Sequence, residues 1–321
     1  MMDRVGLIFI ILVFTSGSCQ CFLFGKDKVD CLMSQWSQWS DVYGFGARSK
    51  ERAILRYPDN GGKPCPNDIE ITEYTTQKPT IQTTAKQIIT SFLQRRLKPN
   101  PSSPRRIVKR DDPIGLFRDL LIIIDSSGSI GASSFKIAKQ QIGELLGLIC
   151  PVPDPFNSNR RSGYNRAALI QYSSNVVEEF DFYDQHSLAD LKSAIMSIPY
   201  QAGLTCTGDA LYEAIQMFTS SKGARQGTKH EVLILTDGKS NCGKKISTVL
   251  PTLHAKATVF GLMIGNFNIE GKKALASYVS KPSPDHLFAV DDYQDLERLL
   301  NFIKVQLDQN HPCAHFDLSK K

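Results

Sequence analysis

The stretch LLIIIDSSGS, residues 120–129, decides the fold. Its five consecutive apolar residues predict a central parallel strand that is buried on both faces. Directly after the strand, Asp125, Ser127 and Ser129 place one carboxylate and two hydroxyls at alternate positions, and Mg²⁺ selects such hard oxygen ligands. Because these three residues carry at most one negative charge, they would leave a cation open to an acidic ligand from outside. The stretch therefore indicates a binding site rather than a closed structural metal cage.

Strand and helix patterns alternate over the rest of the chain, which predicts an α/β fold with a doubly wound, mostly parallel sheet flanked by helices. The predicted strands are residues 120–124, 167–172, 176–182, 232–235, 259–264 and 286–290. The predicted helices are residues 133–149, 188–198, 207–218, 271–280 and 291–307. Such sheets bind ligands beyond the carboxyl ends of their strands, and both Asp125 and Asp237 follow a predicted strand.

Three segments resemble the metal loops of a von Willebrand factor type A domain: residues 120–130 (LLIIIDSSGSI), 203–211 (GLTCTGDAL) and 234–238 (ILTDG). Further similar segments are residues 168–172 (ALIQY), 260–265 (FGLMIG) and 286–290 (HLFAV). The resemblance covers residues 117–309. Three loops in the right order make it specific.

This resemblance implies a metal-ion-dependent adhesion site. Matched position by position, its ligands would be Asp125, Ser127, Ser129, Thr205 and Asp237. The two serines and Thr205 are expected to bind the ion directly and the aspartates partly through water. Mg²⁺ is the expected cofactor, with Mn²⁺ or Ca²⁺ as alternatives. A carboxylate of a protein partner would replace one of the waters that Mg²⁺ usually keeps.

The N-terminus has the layout of a secretory signal peptide over residues 1–18. Asp3 and Arg4 precede an apolar run over residues 5–14, and small residues follow. The run is too short to span a membrane, which needs about 20 apolar residues. We therefore expect a protein that is secreted to the extracellular matrix and does not span the membrane, with cleavage near Ser18 or Cys19.

A small cysteine- and tryptophan-rich β module is predicted over residues 21–76, and it resembles a degenerate thrombospondin type 1 repeat. The similar segments are residues 31–40 (CLMSQWSQWS), 44–46 (GFG) and 61–66 (GGKPCP). Basic residues at alternate positions of a strand share one face and can stack on indole rings. The candidate contacts with glycans or matrix are Trp36, Trp39, Arg48, Lys50 and Arg52. Several cysteines of the repeat are missing, and only Cys31 and Cys65 fit its disulfide pattern.

Eight cysteines fit an oxidising compartment, and no cysteine–histidine cluster indicates zinc. Cys206 and Cys242 flank two of the metal loops, which is not a general feature of the family. Both should lie on the ligand face, so we hypothesise a disulfide between them. Cys150 and Cys313 are then candidates to pair with each other, or one of them with Cys21. Sequence alone does not decide this connectivity.

A basic linker is predicted over residues 77–113, with at most a short helix over residues 85–97. Residues 85–110 contain eight basic residues and no acidic one, more than the formal net charge of +6 of the whole chain. This local block is typical of a solvated linker and does not indicate nucleic-acid binding, although sulfated glycans remain candidate partners. The pair Lys109-Arg110 offers a processing site, whose cleavage would release the α/β domain. Residues 310–321 form a tail.

These features favour a secreted, non-enzymatic adhesion or matrix protein that binds an acidic residue of an extracellular matrix or cell-surface protein. The alternative is a structural component of the organic matrix of a tissue, including a mineralised one, although long acidic runs are absent. An enzyme is not favoured, because none of the six histidines lies in a recognisable catalytic motif. We expect His286 to begin a buried strand.

Overall fold

The computed structural model describes residues 27–93, 118–149, 165–184, 187–265 and 267–310. The predicted signal peptide, the dibasic pair and residues 311–321 of the predicted tail lie outside these ranges, as do Cys19, Cys21, Cys150 and Cys313. The first residue of the predicted tail, Asn310, instead ends the last helix. Within the described ranges, no helix is both long and apolar enough to cross a membrane.

Ten strands and eight α-helices make up the described residues. The strands are β1 Leu32–Met33, β2 Ala47–Glu51, β3 Ile54–Arg56, β4 Glu70–Tyr74, β5 Arg118–Asp125, β6 Arg166–Tyr172, β7 Val176–Phe180, β8 Lys229–Thr236, β9 Thr258–Ile264 and β10 Leu287–Val290. The helices are α1 Ile81–Gln87, α2 Ala132–Leu148, α3 Leu188–Ser197, α4 Thr207–Met217, α5 Ile246–Lys256, α6 Ile269–Ala276, α7 Ser283–His286 and α8 Tyr293–Asn310. A π-helical turn, Ile88–Leu93, continues α1, and Ser220–Lys222 form a 3₁₀ turn.

Six strands form the central sheet in the order β10-β9-β8-β5-β6-β7. All neighbouring strands are parallel except the β6–β7 pair, so the edge strand β7 runs against the rest. The chain leaves β5 first toward β6 and later returns to its other side with β8. The strand order therefore reverses between β5 and β8, and their carboxyl ends meet at the place where such sheets bind ligands. The predicted fold class is confirmed.

Two apolar layers cover the two faces of the sheet. On β5, Leu120, Ile122 and Ile124 pack against α1, α2, α3 and α8. The alternate residues Leu121 and Ile123 pack against α4, α5 and α6. Because successive side chains of a strand point to opposite faces, the continuous apolar run supplies both layers. This fixes β5 at the centre and holds its carboxyl end, where Asp125 lies, in place.

The N-terminal module contains two small antiparallel sheets, β1–β3 and β2–β4. It packs against the second layer beside β10, where Phe45 meets Phe267 edge to face with ring centroids 5.5 Å apart. A methyl group on Gly44 would lie only 2.9 Å from Leu287 Cδ2, so the backbone approaches β10 closely. Polar contacts add to this interface, since Lys281 Nζ lies 3.3 Å from Glu70 Oε2.

Residues 81–93 differ from the linker that the sequence predicted. Thr80 caps α1 by accepting a hydrogen bond from Thr83 N. One face of the helix and its π-turn is then buried in the core through Ala85, Ile88 and Phe92. Phe92 meets Phe260 edge to face at 5.0 Å. The apolar residues at i, i+3 and i+7 form a helical stripe, so this segment belongs to the domain core.

Two further expectations need correction. The predicted helices include no counterpart of α5, which contains Pro251 although proline normally breaks a helix. Its buried residues are nevertheless helically spaced: Val249, Leu250 and Leu253. His286 ends α7 instead of beginning a strand. Its Nδ1 lies 2.9 Å from Pro282 O, which holds the imidazole against the preceding turn.

Candidate metal-ion-dependent adhesion site

Asp125 lies at the carboxyl end of β5 and is only 1 % exposed. Its Oδ1 accepts a hydrogen bond of 2.8 Å from Ser127 N, which turns the chain immediately after the strand. Its Oδ2 accepts hydrogen bonds from Thr236 Oγ1 at 2.6 Å and Tyr172 OH at 3.1 Å. Oδ1 is therefore fixed by the loop after β5 and Oδ2 by the two neighbouring strands, which satisfies the buried carboxylate and sets its orientation.

Ser127 and Ser129 bring their hydroxyls toward Asp237. The two Oγ atoms are 3.2 Å apart, and Ser129 Oγ donates to Asp237 Oδ1 at 3.0 Å. Asp237 directly follows β8. The carboxyl ends of β5 and β8 thus bring together four of the five proposed ligands, as their positions after parallel strands predict.

Thr205 reaches the same place from the loop that precedes α4. A methyl group on Gly238 would lie 3.7 Å from Thr205 Oγ1 and 3.9 Å from Ser129 Oγ, so these hydroxyls line a common space. Asn241 holds Thr205 on both sides, because Asn241 Oδ1 accepts from Thr205 N at 2.8 Å and Asn241 N donates to Thr205 O at 3.1 Å. All five proposed ligands therefore lie around one site.

The structure contains disulfides between Cys31 and Cys65 and between Cys206 and Cys242. The second one joins the loop of Thr205 to the loop of Asp237, with its Cα atoms 4.5 Å apart. It therefore links two of the three segments that carry the proposed ligands.

Burial raises the pKa of Asp125. For Asp237, burial and then the negative charge of Asp125 raise the pKa to about 6. Two carboxylates that share a partly dry space repel one another, and this arrangement favours a cation between them. Across the described ranges, no group of three or more histidine, cysteine, aspartate or glutamate residues forms a metal cluster. The donors here are mainly hydroxyls with two carboxylates, an all-oxygen set that fits a hard divalent cation.

Sequence reasoning missed the residues that support this site. Tyr172 lies beside Asp125 in the parallel register of β5 and β6, and Thr236 precedes Asp237. Both could have been found from strand ends alone. Tyr200 could not: its OH donates to Ser127 O at 3.0 Å and accepts from Gly131 N at 3.1 Å. Its position depends on a loop that no sequence pattern predicts.

A ladder of indole rings and cations runs along one face of the N-terminal module. Arg52 and Arg48 lie over the rings of Trp36 and Trp39, with Cζ 4.5 and 4.9 Å from the respective centroids. Lys50 lies between the rings, with Nζ 5.4 Å from the first and 5.2 Å from the second. The structure therefore brings together all five candidate residues of this module.

A repeated serine anchors the tryptophan segment to β2. Ser34, Ser37 and Ser40 recur every third residue, and each exchanges hydrogen bonds with a residue of β2 or of the segment just after it. Their Oγ atoms accept from Ala53 N at 2.9 Å, Glu51 N at 3.0 Å and Ser49 N at 3.1 Å. The serines in SQWSQWS thus fix the spacing of the rings relative to the cations.

A family model for the von Willebrand factor type A domain matches residues 119–302. Together with the sheet order, this match shows that the chain belongs to the von Willebrand factor type A domain family. The matched range contains all five proposed metal ligands.

The curated relatives are matrix and adhesion proteins. The chain is 28% identical over 207 residues to mouse Matrilin-1, which covers 62% of this chain and 38% of that protein. It is 29% identical over 195 residues to the Xenopus laevis Collagen alpha-1(XXI) chain, covering 61% of this chain and 19% of the collagen chain. It is 25% identical over 213 residues to mouse Integrin alpha-X, covering 64% of this chain and 17% of the integrin chain. The chain thus spans less than two fifths of the length of these relatives.

Among solved structures, proximal thread matrix protein 1 from the mussel byssus, with its MIDAS (metal-ion-dependent adhesion site) motif occupied by zinc, has a TM-score of 0.51. It is 22% identical, and the match covers 58% of this chain and 46% of that one. At this identity the likeness supports the fold.

Proposed function

We propose that this protein is a secreted, non-enzymatic adhesion protein that binds an acidic side chain of a matrix or cell-surface protein through a divalent cation. The observation that carries the proposal is the convergence of Ser127, Ser129, Thr205 and Asp237 around the fixed carboxylate of Asp125. The relatives in the matrix and adhesion class support it.

The five proposed ligands would have two different roles. Ser127, Ser129 and Thr205 would supply neutral oxygens, and Asp125 and Asp237 would supply the negative charge. Mg²⁺ is the cation that we propose, with Mn²⁺ or Ca²⁺ as alternatives; it would supply a positive centre that attracts the partner's carboxylate. Because three of the five ligands are uncharged, the site keeps affinity for an external acid.

A second contact with sulfated glycans is supported by the ladder of Trp36, Trp39, Arg48, Lys50 and Arg52, as in the thrombospondin type 1 repeat that the module resembles. Arg52 forms an ion pair with Asp68 at 3.1 Å, and Arg48 pairs with Glu73. These acids offset part of the positive charge, so we expect weak, salt-sensitive binding. Two weak sites on one chain would gain affinity by avidity.

A binding assay tests both contacts. The intact secreted chain is applied to a panel of matrix proteins and sulfated glycans with Mg²⁺ or with EDTA. Ser129→Ala and Asp237→Ala remove proposed ligands, and Asp291→Ala is the matched control because Asp291 is half exposed and pairs with Lys78 outside the site. We expect protein binding to disappear with EDTA and in each of the two site variants, and to persist in Asp291→Ala. Protein binding that survives all three treatments would contradict the proposal.

A further inference from the structure

The loop between Asp237 and α5 carries three exposed lysines: Lys239, Lys244 and Lys245. We propose that this lysine loop selects acidic peptides in which a second carboxylate lies close to the one bound at the cation. This inference rests on the proposed function and specifies the partner of that same site.

The lysine loop is held rigidly beside the site. Asn241 bonds both backbone groups of Thr205, and the Cys206–Cys242 disulfide joins the loop to the start of α4. A methyl group on Gly208 would lie 1.8 Å from Lys244 O, so only glycine allows the loop to lie this close to α4. Lysines on a preorganised loop lose less entropy when a ligand orders them.

Little on this side of the site neutralises the lysines. Lys244 Nζ lies 3.4 Å from Asp209 Oδ1 and 4.6 Å from the ring centroid of Tyr212. Neither Lys239 nor Lys245 forms a side-chain ion pair with any described residue. The neighbouring loops, residues 173–175 and 199–206, contain no charged residue. A ligand that crosses the site toward α4 and α5 therefore meets cations.

The N-termini of two helices add to the positive charge of the lysine loop. α4 begins at Thr207 and α5 at Ile246, and neither has a side-chain cap at its N-terminus. Each helix is 11 residues long, and the N-terminus of a helix carries a partial positive charge. The other side of the site differs, because two acidic residues follow β10 there: Asp291, which pairs with Lys78, and Asp292. The two sides of the proposed cation site therefore differ in charge. A peptide with two acidic residues should bind in the orientation that places its second carboxylate toward the lysine loop.

Short peptides test the inference. Nine-residue glycine–serine peptides carry one central Asp, or that Asp with a second Asp one to four residues away, or Asn at both positions. They are immobilised densely on a sensor, and binding of the intact chain is measured in Mg²⁺ and in EDTA at 0.15 M salt. Screening acts over about 8 Å there, so the assay reports nearby charges.

We expect the best peptide with two acids to bind about threefold to fivefold more tightly than the peptide with one, as exposed ion pairs allow. In K239Q/K245Q this preference should fall to within about twofold, while binding to the peptide with one Asp stays within about twofold. K256Q/K273Q is the control, because it removes the same charge, with Lys256 at the opposite end of α5 and Lys273 in the last turn of α6. This control should keep the preference.

Two results would overturn the inference. The wild-type chain would bind both peptide classes equally in Mg²⁺, or K239Q/K245Q would keep the full preference. If K239Q/K245Q keeps the preference and also loses binding to a heparin oligosaccharide, the lysine loop is assigned to glycans instead. Failure of the peptide with one Asp to bind in a cation-dependent way instead contradicts the proposed function, and the inference falls with it.

Discussion

Thr236 Oγ1 donates a hydrogen bond of 2.6 Å to Asp125 Oδ2, joining the ends of β8 and β5 just before their two metal loops. Both residues are almost fully buried. The same carboxylate oxygen accepts from Tyr172 OH at the end of β6. One residue from each adjacent strand therefore fixes the carboxylate, and neither would contact a cation itself. Residues that orient a ligand in this way matter for metal affinity nearly as much as the ligand.

Replacing Thr236 by Val tests this support. Val has nearly the same shape, so the change opens no cavity. It removes the bond to Asp125 and also the bond of 3.1 Å that Thr236 Oγ1 accepts from Gly238 N. We expect Mg²⁺ affinity to fall by about tenfold or more, measured by calorimetry. The free energy of unfolding should fall by about 1.5–3 kcal/mol, because the bond is made to a buried charged group. Thr248→Val is the control, since Thr248 bonds only Lys245 O on the exposed side of α5. Equal Mg²⁺ affinity in wild type and Thr236→Val would contradict this role.

Removing the disulfide between the metal loops should weaken both the fold and the site. In Cys206→Ala/Cys242→Ala, urea unfolding should show a loss of about 2–4 kcal/mol, since the bond closes a loop with a sequence separation of 36 residues. Mg²⁺ affinity should also fall, because the loops of Thr205 and Asn241 are then joined only by hydrogen bonds and no longer by the adjacent covalent bond. Cys31→Ala/Cys65→Ala, with a separation of 34 residues, is the matched control. It should leave Mg²⁺ affinity unchanged, and an equal effect of both double variants would argue against a local brace.

The helix over residues 81–93 should be essential for stability. Phe92 is 1 % exposed, and its ring packs between Phe260 and the guanidinium of Arg118, whose Cζ lies 5.2 Å from the ring centroid. Phe92→Ala should lower the free energy of unfolding by about 3–5 kcal/mol, measured in urea. Lys86→Ala, on the exposed side of the same helix, should change it by no more than about 0.5 kcal/mol. Similar small effects for both would mean that this segment is a linker after all.

His286 should make stability depend on pH. Burial lowers its pKa from the ordinary value of 6.5, so the folded protein keeps the imidazole neutral. The unfolded chain takes up a proton near pH 6.5, and stability from this group is therefore lost as the pH falls below that value. The free energy of unfolding should fall by at most about 1.4 kcal/mol per pH unit, and it should stop falling below the pKa of His286 in the folded protein. Urea unfolding at several pH values should show a shallower slope in His286→Gln than in the wild type. Parallel curves would exclude the effect.

Strands and ligands could be predicted where the pattern is local. The apolar run before Asp125 identifies β5, and the positions of Asp125 and Asp237 after parallel strands place both at one edge. β8 begins at Lys229, earlier than predicted, because its polar first residues pair with β5 and so extend the strand beyond its apolar part. The packing of residues 81–93 against the domain core could not be predicted. The sequence bears threonine and proline, as linkers do, and the residues that it packs against come together only in the assembled domain.

The supporting contacts of the site depend on tertiary structure in the same way. Tyr172 can be assigned from strand register once β5 and β6 are paired. Asn241 and Tyr200 lie on loops, and their partners, Thr205 and Ser127, are distant in sequence. The Cys206–Cys242 pair was a hypothesis from position alone, and the structure contains it. Loop geometry therefore limits prediction at this site more than ligand chemistry does.

Calorimetric titration of Mg²⁺ into the intact, EDTA-treated chain shows whether the five proposed ligands hold a cation. We expect one Mg²⁺ per chain, at least tenfold weaker binding in Asp237→Ala, and unchanged binding in Asp291→Ala, which removes a carboxylate from the same face. No binding in the wild type, or equal binding in Asp237→Ala, would contradict the claim that these five residues hold the cation.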